Sequence, residues 1–179
     1  YPYPLRRDCG DIDVWMVGGK AEVERFVFAK FEGADEGDGS RHVSFLADDV
    51  EVEVHHLPTS LYNPLHHRKL KSFFGVIENA PWDTFALLPE NVGRVVVPSI
   101  EFNLVFILVH MFHHWAFEGC GMKQLMDYFW LLEKGQVSED VKKKVQKQLK
   151  DMGLWHFLSA VMYVFELLGM TKEKMLCAP

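Results

Sequence analysis

The start of the chain alternates apolar with polar residues in a way that predicts a small β-sheet with one helix. The alternation runs over residues 11–17, which predicts a strand, and Gly18 and Gly19 end it. Over residues 20–31 the apolar residues instead recur at roughly helical spacing, with charged residues between them. We therefore predict a strand followed by an amphipathic helix.

The clearest period-two pattern is VEVEVH at residues 50–55, where valines alternate with carboxylates and so lie on opposite faces of a strand. Residues 42–46 form a second strand candidate, and Ala47, Asp48 and Asp49 separate the two. This pattern predicts a β-hairpin with one apolar face and one acidic face.

Prolines mark the next segment, residues 58–98, which also contains a short helix candidate at 65–74 and a strand candidate at 94–97. Everything after it has helical spacing, with glycines between the helices predicted at 100–117, 122–134, 138–152 and 154–168. The sequence thus predicts an α+β fold. A small mixed β-sheet with its helix occupies residues 1–57, a connector 58–98 and a C-terminal helical bundle 99–179.

Composition narrows the class of protein. The net charge of −6 and the pI near 5.8 disfavour nonspecific binding of nucleic acid, which needs a basic surface, although a local basic groove stays open. Three cysteines without zinc-like spacing, Cys9, Cys120 and Cys177, are typical of a reducing cytoplasm. The longest apolar stretch, 102–117, is shorter than the roughly 20 residues that cross a bilayer. We expect a cytoplasmic protein without membrane association.

The best candidates for chemistry are Asp11 and Asp13. They are two residues apart on a predicted strand, so their side chains share one face with α-carbons about 6–7 Å apart. Both carboxylates can then reach one cation, and Mg²⁺ prefers such oxygen ligands together with substrate phosphates. Gly10 allows a close turn before them. Because any half-exposed strand can carry this pattern, the pair alone is a weak signal.

A third carboxylate from a neighbouring strand would complete a two-metal site, which activates an attacking oxygen and stabilises a leaving pyrophosphate. Glu51 and Glu53 both lie on the acidic face of the hairpin, and pairing of their strand beside residues 11–17 would bring the acidic faces together. Spacing leaves the choice between these two glutamates open.

Three segments together resemble the uncharacterised bacterial nucleotidyltransferases of the polymerase-beta-like superfamily. They are YPYPLRRDCGDIDVW, VEVHHLPTSLYNP and HMFHHWAFEGCGMKQLMDYFWLLEKG, and the resemblance extends over nearly the whole chain. It implies that residues 1–57 form a partial nucleotidyltransferase fold. It further implies transfer of a nucleoside monophosphate (NMP) from a nucleoside triphosphate (NTP) to a hydroxyl of an unknown acceptor, with Mg²⁺ or Mn²⁺ as cofactor.

The family pattern also assigns the carboxylates. Asp11 and Asp13 would bind the metal, and the third acidic residue stands two before a histidine. That spacing selects Glu53, which precedes His55, and leaves Glu51 in reserve.

Other residues acquire roles through the same resemblance. Arg6 and Arg7 would contact the nucleotide phosphates through bidentate guanidinium geometry beside Gly10, and an exposed, solubilising role is equally open for them. His110 and Asp127 would face the acceptor cleft between the two domains. Asp127 interrupts an apolar helix face, so it needs a partner, and it serves either as a structural pair or as a general base.

One element of the superfamily pattern, the glycine-containing turn that binds triphosphate, is expected upstream of this chain. The superfamily places a Gly-Gly or Gly-Ser turn at a helix start before the Asp pair, where backbone amides bind triphosphate, whereas Gly18 and Gly19 follow it here. We expect that element upstream in the natural protein, and the activity of this chain depends on it. The alternative is a non-catalytic nucleotide- or protein-binding module with a degenerate fold.

Histidines suggest a third, weaker function. His110, His113 and His114 share helical spacing, but no carboxylate is spaced to complete the ligand set of a metal hydrolase. The adjacent residues His55 and His56 point to opposite faces of a strand, so they are predicted not to chelate one ion together.

Overall fold

The protein is described from a computed structural model that covers residues 10–36, 41–80, 84–117, 119 and 121–179. The chain divides into two compact units, one up to Thr59 and the other from Ser60 to Pro179. The predicted α+β class is confirmed, since a small mixed sheet and its helix precede a set of C-terminal helices.

A three-stranded mixed sheet forms the centre of the first unit. Its strands are β1 (Asp11–Trp15), β2 (His42–Ala47) and β3 (Val50–His55), in the order β1-β3-β2. Strand β3 is parallel to β1 and antiparallel to β2, so the predicted hairpin is confirmed. Strand β1 ends two residues earlier than predicted.

The turn of the hairpin fixes its register. Asp48 and Asp49 both have left-handed backbone conformations, with φ of 48° and 66°. Two successive left-handed residues match the twist of a two-residue hairpin turn, and aspartate tolerates this conformation better than most residues. As a result His42 lies opposite His55, and Ser44 lies opposite Glu53.

Helix α1 (Lys20–Lys30) covers the apolar face of the sheet. Val23 and Val27 on this helix are fully buried. They form one core cluster with the sheet valines Val43, Val52 and Val54. Since side chains alternate along a strand, burial of these valines turns the carboxylates of β1 and β3 to the opposite face.

The second unit contains five α-helices and a small hairpin among its described residues. They are α2 (Pro64–Glu78), β4 (Phe85–Leu87), β5 (Arg94–Val96), α3 (Ile100–Phe117), α4 (Met122–Lys134), α5 (Glu139–Asp151) and α6 (Trp155–Leu167). Helix α2 is longer than the predicted 65–74. It starts efficiently because Asn63 Oδ1 accepts hydrogen bonds from the backbone amides of Leu65 and His66, with proline at the first helical position.

Packing around α3 forms the core of this unit. Helix α3 packs against α4 and α5, and α5 packs against α6. The fully buried Tyr128 joins two of them, because its hydroxyl donates a 3.0 Å hydrogen bond to the Leu104 carbonyl. By length and composition alone α3 is able to cross a membrane. Six of its 18 residues are buried in the unit.

Candidate functional site

The carboxylates of β1 and β3 meet on one face of the sheet. In the parallel register Asp11 lies opposite Glu51, and Asp13 lies opposite Glu53. Pairing of these two strands was considered from the sequence, whereas the register comes from the structure. Residues opposite each other in a ladder point to the same side, so the four carboxylates form a single acidic surface.

His55 joins two of these carboxylates. Its Nε2–H donates to Asp13 Oδ1 at 2.8 Å and to Glu53 Oε2 at 3.1 Å. The two carboxylate oxygens therefore converge on one atom, even though they belong to different strands. The His55 side chain is only 9% exposed, whereas that of Asp13 is 43% exposed. The buried histidine therefore orients the carboxylate of Asp13, which remains accessible from solvent.

This contact separates the two glutamates that the spacing left open. Glu53 shares its hydrogen-bond donor with Asp13, and its side chain is 22% exposed. Glu51 is exposed near the start of β3, opposite Asp11. Oxygen atoms that converge from two strands suit a hard divalent cation, so Asp13 and Glu53 with Asp11 beside them fit Mg²⁺ or Mn²⁺.

A second histidine, His42, joins this cluster from β2. Its Nδ1 lies 3.6 Å from Glu53 Oε2, and its ring centroid is 5.0 Å from that of His55. In the described part of the chain, His42, Glu53 and His55 are the one group of three whose potential metal-donor atoms all lie within 4.8 Å of one another. His42 was not predicted as a site residue, because its position relative to Glu53 and His55 depends on the hairpin register.

His56 lies apart from this group, as its opposite orientation on the strand predicted. Burial lowers the pKa of His56, and nearby Lys20 lowers it further. Both effects favour the neutral ring. The two adjacent histidines thus lie in different surroundings, since only His55 belongs to the cluster with His42 and Glu53.

The other predicted site residues are distributed as follows. Gly10 is exposed and directly precedes β1, while Arg6 and Arg7 lie outside the described residues. His110 on α3 and Asp127 on α4 are half-buried in the second unit. His110 Nε2 lies 2.9 Å from the Nε2 of His114, so one ring donates a hydrogen bond to the other.

Comparison with known proteins assigns the family. A family model described as an uncharacterised nucleotidyltransferase matches residues 1–169, which include both carboxylate-bearing strands and the helices α1 to α6. No curated protein and no solved structure shows significant similarity to the chain. The family match covers more than nine-tenths of the 179 residues. The chain therefore belongs to this family of uncharacterised nucleotidyltransferases.

Proposed function

We propose that the protein transfers an NMP from a metal-bound NTP to a hydroxyl of an acceptor, with Asp11, Asp13 and Glu53 as the metal-binding carboxylates. The observation that carries this proposal is the parallel register of β1 and β3, which sets Asp13 directly opposite Glu53. Membership of a nucleotidyltransferase family supports the reaction class.

The residues of the chain have separable tasks in this reaction. Asp13 and Glu53 orient their oxygens toward one point because both accept hydrogen bonds from His55. Asp11 extends the surface along β1. Bound Mg²⁺ or Mn²⁺ would offset the charge of the triphosphate and polarise the phosphoryl group under attack. In the transfer, the acceptor oxygen bonds to the α-phosphorus while the bond to pyrophosphate breaks.

The direct test is calorimetric titration of each NTP in the presence of Mg²⁺ or Mn²⁺. We expect Asp13→Asn and Asp11→Asn to abolish metal-dependent nucleotide binding, because each removes a charged oxygen ligand while keeping side-chain size. Asp49→Asn is the matched control, since it removes a carboxylate from the turn of the same sheet and asparagine also tolerates the left-handed conformation.

The titration results distinguish the proposed enzyme from the alternatives. Binding that survives in Asp13→Asn, with circular dichroism unchanged, would remove the proposed site. If the parent chain binds NTP and Asp13→Asn does not, but the parent chain releases no pyrophosphate with any acceptor tried, the non-catalytic module is favoured.

A further inference from the structure

The cluster of His42, Glu53 and His55 has a ligand chemistry different from that of the all-carboxylate surface. Two imidazoles and one carboxylate suit a borderline transition ion such as Zn²⁺, whereas Mg²⁺ prefers oxygen ligands alone. We propose that these three side chains form a zinc-class binding site on the polar face of the sheet.

The distances between the donor atoms support this site. Zinc–ligand bonds of about 2.0–2.2 Å in a tetrahedral arrangement place the ligand atoms about 3.3–3.6 Å apart. Glu53 Oε2 lies 3.1 Å from His55 Nε2 and 3.6 Å from His42 Nδ1. The donor atoms of His42 and His55 lie within 4.8 Å of each other. Coordination through His55 Nε2 would move the proton of this ring to Nδ1, and side-chain rotations would then bring all three donor atoms onto one ion.

The backbone holds the three residues in place before any ion binds. His42 and His55 are cross-strand neighbours, and Glu53 lies on the same face two residues before His55. The two-residue turn at Asp48 and Asp49 fixes this register. A site on paired strands loses little conformational entropy on binding, which favours tight association.

Burial gives a reason for an ion to bind here. The side chains of His42, Glu53 and His55 are 13%, 22% and 9% exposed, respectively. His42 Nδ1 is buried and has no hydrogen-bond partner. A buried polar atom without a partner is costly, and coordination of an ion would satisfy it. Three protein ligands leave a fourth position for water or substrate.

The site stands without the proposed function, because zinc binding by these residues needs no nucleotide. If that function holds, the shared residue Glu53 makes the two ions compete. Zinc at the histidine cluster then removes the third carboxylate from the Mg²⁺ surface and inhibits transfer.

The experiment is a zinc titration of the full chain, without nucleotide and without an affinity tag, against a colorimetric zinc chelator. We expect one zinc ion per chain. Loss of one ligand should weaken binding by at least about tenfold, since loss of even an outer-shell partner costs about 10–100-fold. We expect this loss in both His42→Gln and His55→Gln.

Two control variants make the result specific. His156→Ala removes an exposed histidine of α6, and His114→Ala breaks the histidine pair on α3. Both should bind zinc as the parent chain does. Cobalt(II) in place of zinc should give the intense visible absorption of a tetrahedral site, and His42→Gln should remove it.

Zinc affinity that is unchanged in His42→Gln would overturn the proposal, as would loss of binding in His114→Ala. Circular dichroism and thermal unfolding confirm that each variant is folded, and His42→Ala provides a second substitution at the same position. NTP binding that survives in Asp13→Asn would contradict the proposed function and leave the zinc result unaffected.

Discussion

At the scale of single residues, the choice between Glu51 and Glu53 decides how the acidic surface works. Both are on β3 and on the same face, but of these two only Glu53 accepts a hydrogen bond from His55, which also donates to Asp13. A carboxylate held in this way has its oxygen already placed for a cation. Glu51 is exposed and must give up more side-chain freedom when it binds.

Glu53→Gln should therefore weaken Mg²⁺-dependent NTP binding by about tenfold or more, which corresponds to about 1.4 kcal/mol. Glu51→Gln is the matched control on the same strand and should change the affinity by less than about threefold. Calorimetry on the two variants makes the comparison. A larger loss in Glu51→Gln would assign the third carboxylate to the exposed position opposite Asp11.

Two half-buried histidines, His56 and His67, make the stability of the protein pH-dependent. Burial lowers the pKa of His56 and of His67, and nearby Lys20 and Lys71 add to the effect on each. The unfolded chain then binds protons more readily than the folded chain. The stabilising contribution is complete above about pH 6.5, the unfolded value, and is lost as the pH falls from there through the lower folded pKa.

We expect the free energy of unfolding in urea to decrease between about pH 7.5 and about pH 5.5. The double variant His56→Gln, His67→Gln should show a smaller decrease, because its two amides do not titrate. His156→Gln, an exposed histidine, is the control and should keep the slope of the parent chain. Equal slopes in the parent and the double variant would contradict this origin.

At the scale of secondary-structure elements, local pattern was sufficient for most of the fold. The helix predicted at 138–152 is α5, and Ser138 caps it, since its side chain accepts a hydrogen bond from the Val141 amide. The VEVEVH alternation likewise predicted β3 and its two faces. Strand β4 was missed, whereas the equally short β5 was predicted, because β5 contains the β-branched valines that favour strands and β4 contains none.

The hairpin register shows where local pattern stops being sufficient. A turn of three residues at Ala47 to Asp49, as predicted, places His42 opposite Val54. The observed turn contains only Asp48 and Asp49, so His42 lies opposite His55 instead. A shift of one residue moves a side chain to the other face of the sheet. The histidine cluster therefore depends on the backbone conformation of the turn at Asp48 and Asp49, which the pattern of apolar and polar residues does not determine.

The turn between α5 and α6 depends on one glycine. Gly153 has a φ of +73°, and a β-carbon added there would lie 2.2 Å from His66 Cε1. The left-handed conformation costs a non-glycine residue about 1–2 kcal/mol, and displacement of the packed ring of α2 adds about 1–3 kcal/mol. Gly153→Ala should lower the free energy of unfolding by the sum of both effects.

Gly169→Ala separates the two costs. Gly169 has a φ of +91° with open space around its α-carbon, so this variant should show only the backbone cost. The double variant His66→Ala, Gly153→Ala removes the ring and should recover the steric part. Chemical unfolding of the three proteins measures the difference. Equal destabilisation by Gly153→Ala and Gly169→Ala would mean that the ring moves aside without cost.

At the scale of the whole molecule, the sequence predicted the order of elements and the family better than it predicted which residues from separate elements lie together. The order of elements follows from periodicity, and the resemblance stated from the sequence is supported by the family match over residues 1–169. The carboxylates of the first unit could be related because β1 and β3 lie in one sheet. His110 and Asp127 lie in the second unit, and no local sequence pattern relates helix residues of this unit to the strands of the first unit.

Hydrogen exchange on the whole chain tests where nucleotide binds. A ligand at about 100 times its Kd stabilises the binding-competent state by about 2.7 kcal/mol. Amide exchange that requires an opening of the site then becomes about 100-fold slower. If Asp11, Asp13 and Glu53 hold the metal–NTP complex, amides of β1 and β3 should show this slowing. Amides of α5 and α6 should keep their rates wherever the second unit opens independently.

The distribution of protection then discriminates between sites. Slowing confined to β1 and β3, absent in Asp13→Asn, agrees with a site built on the sheet of the first unit. Slowing in α3 and α4 together with the sheet indicates that both units bind the ligand, and it gives His110 and Asp127 a direct role. Slowing in α3 and α4 alone contradicts the carboxylate site, because the strands that carry it would then open as readily with nucleotide as without it.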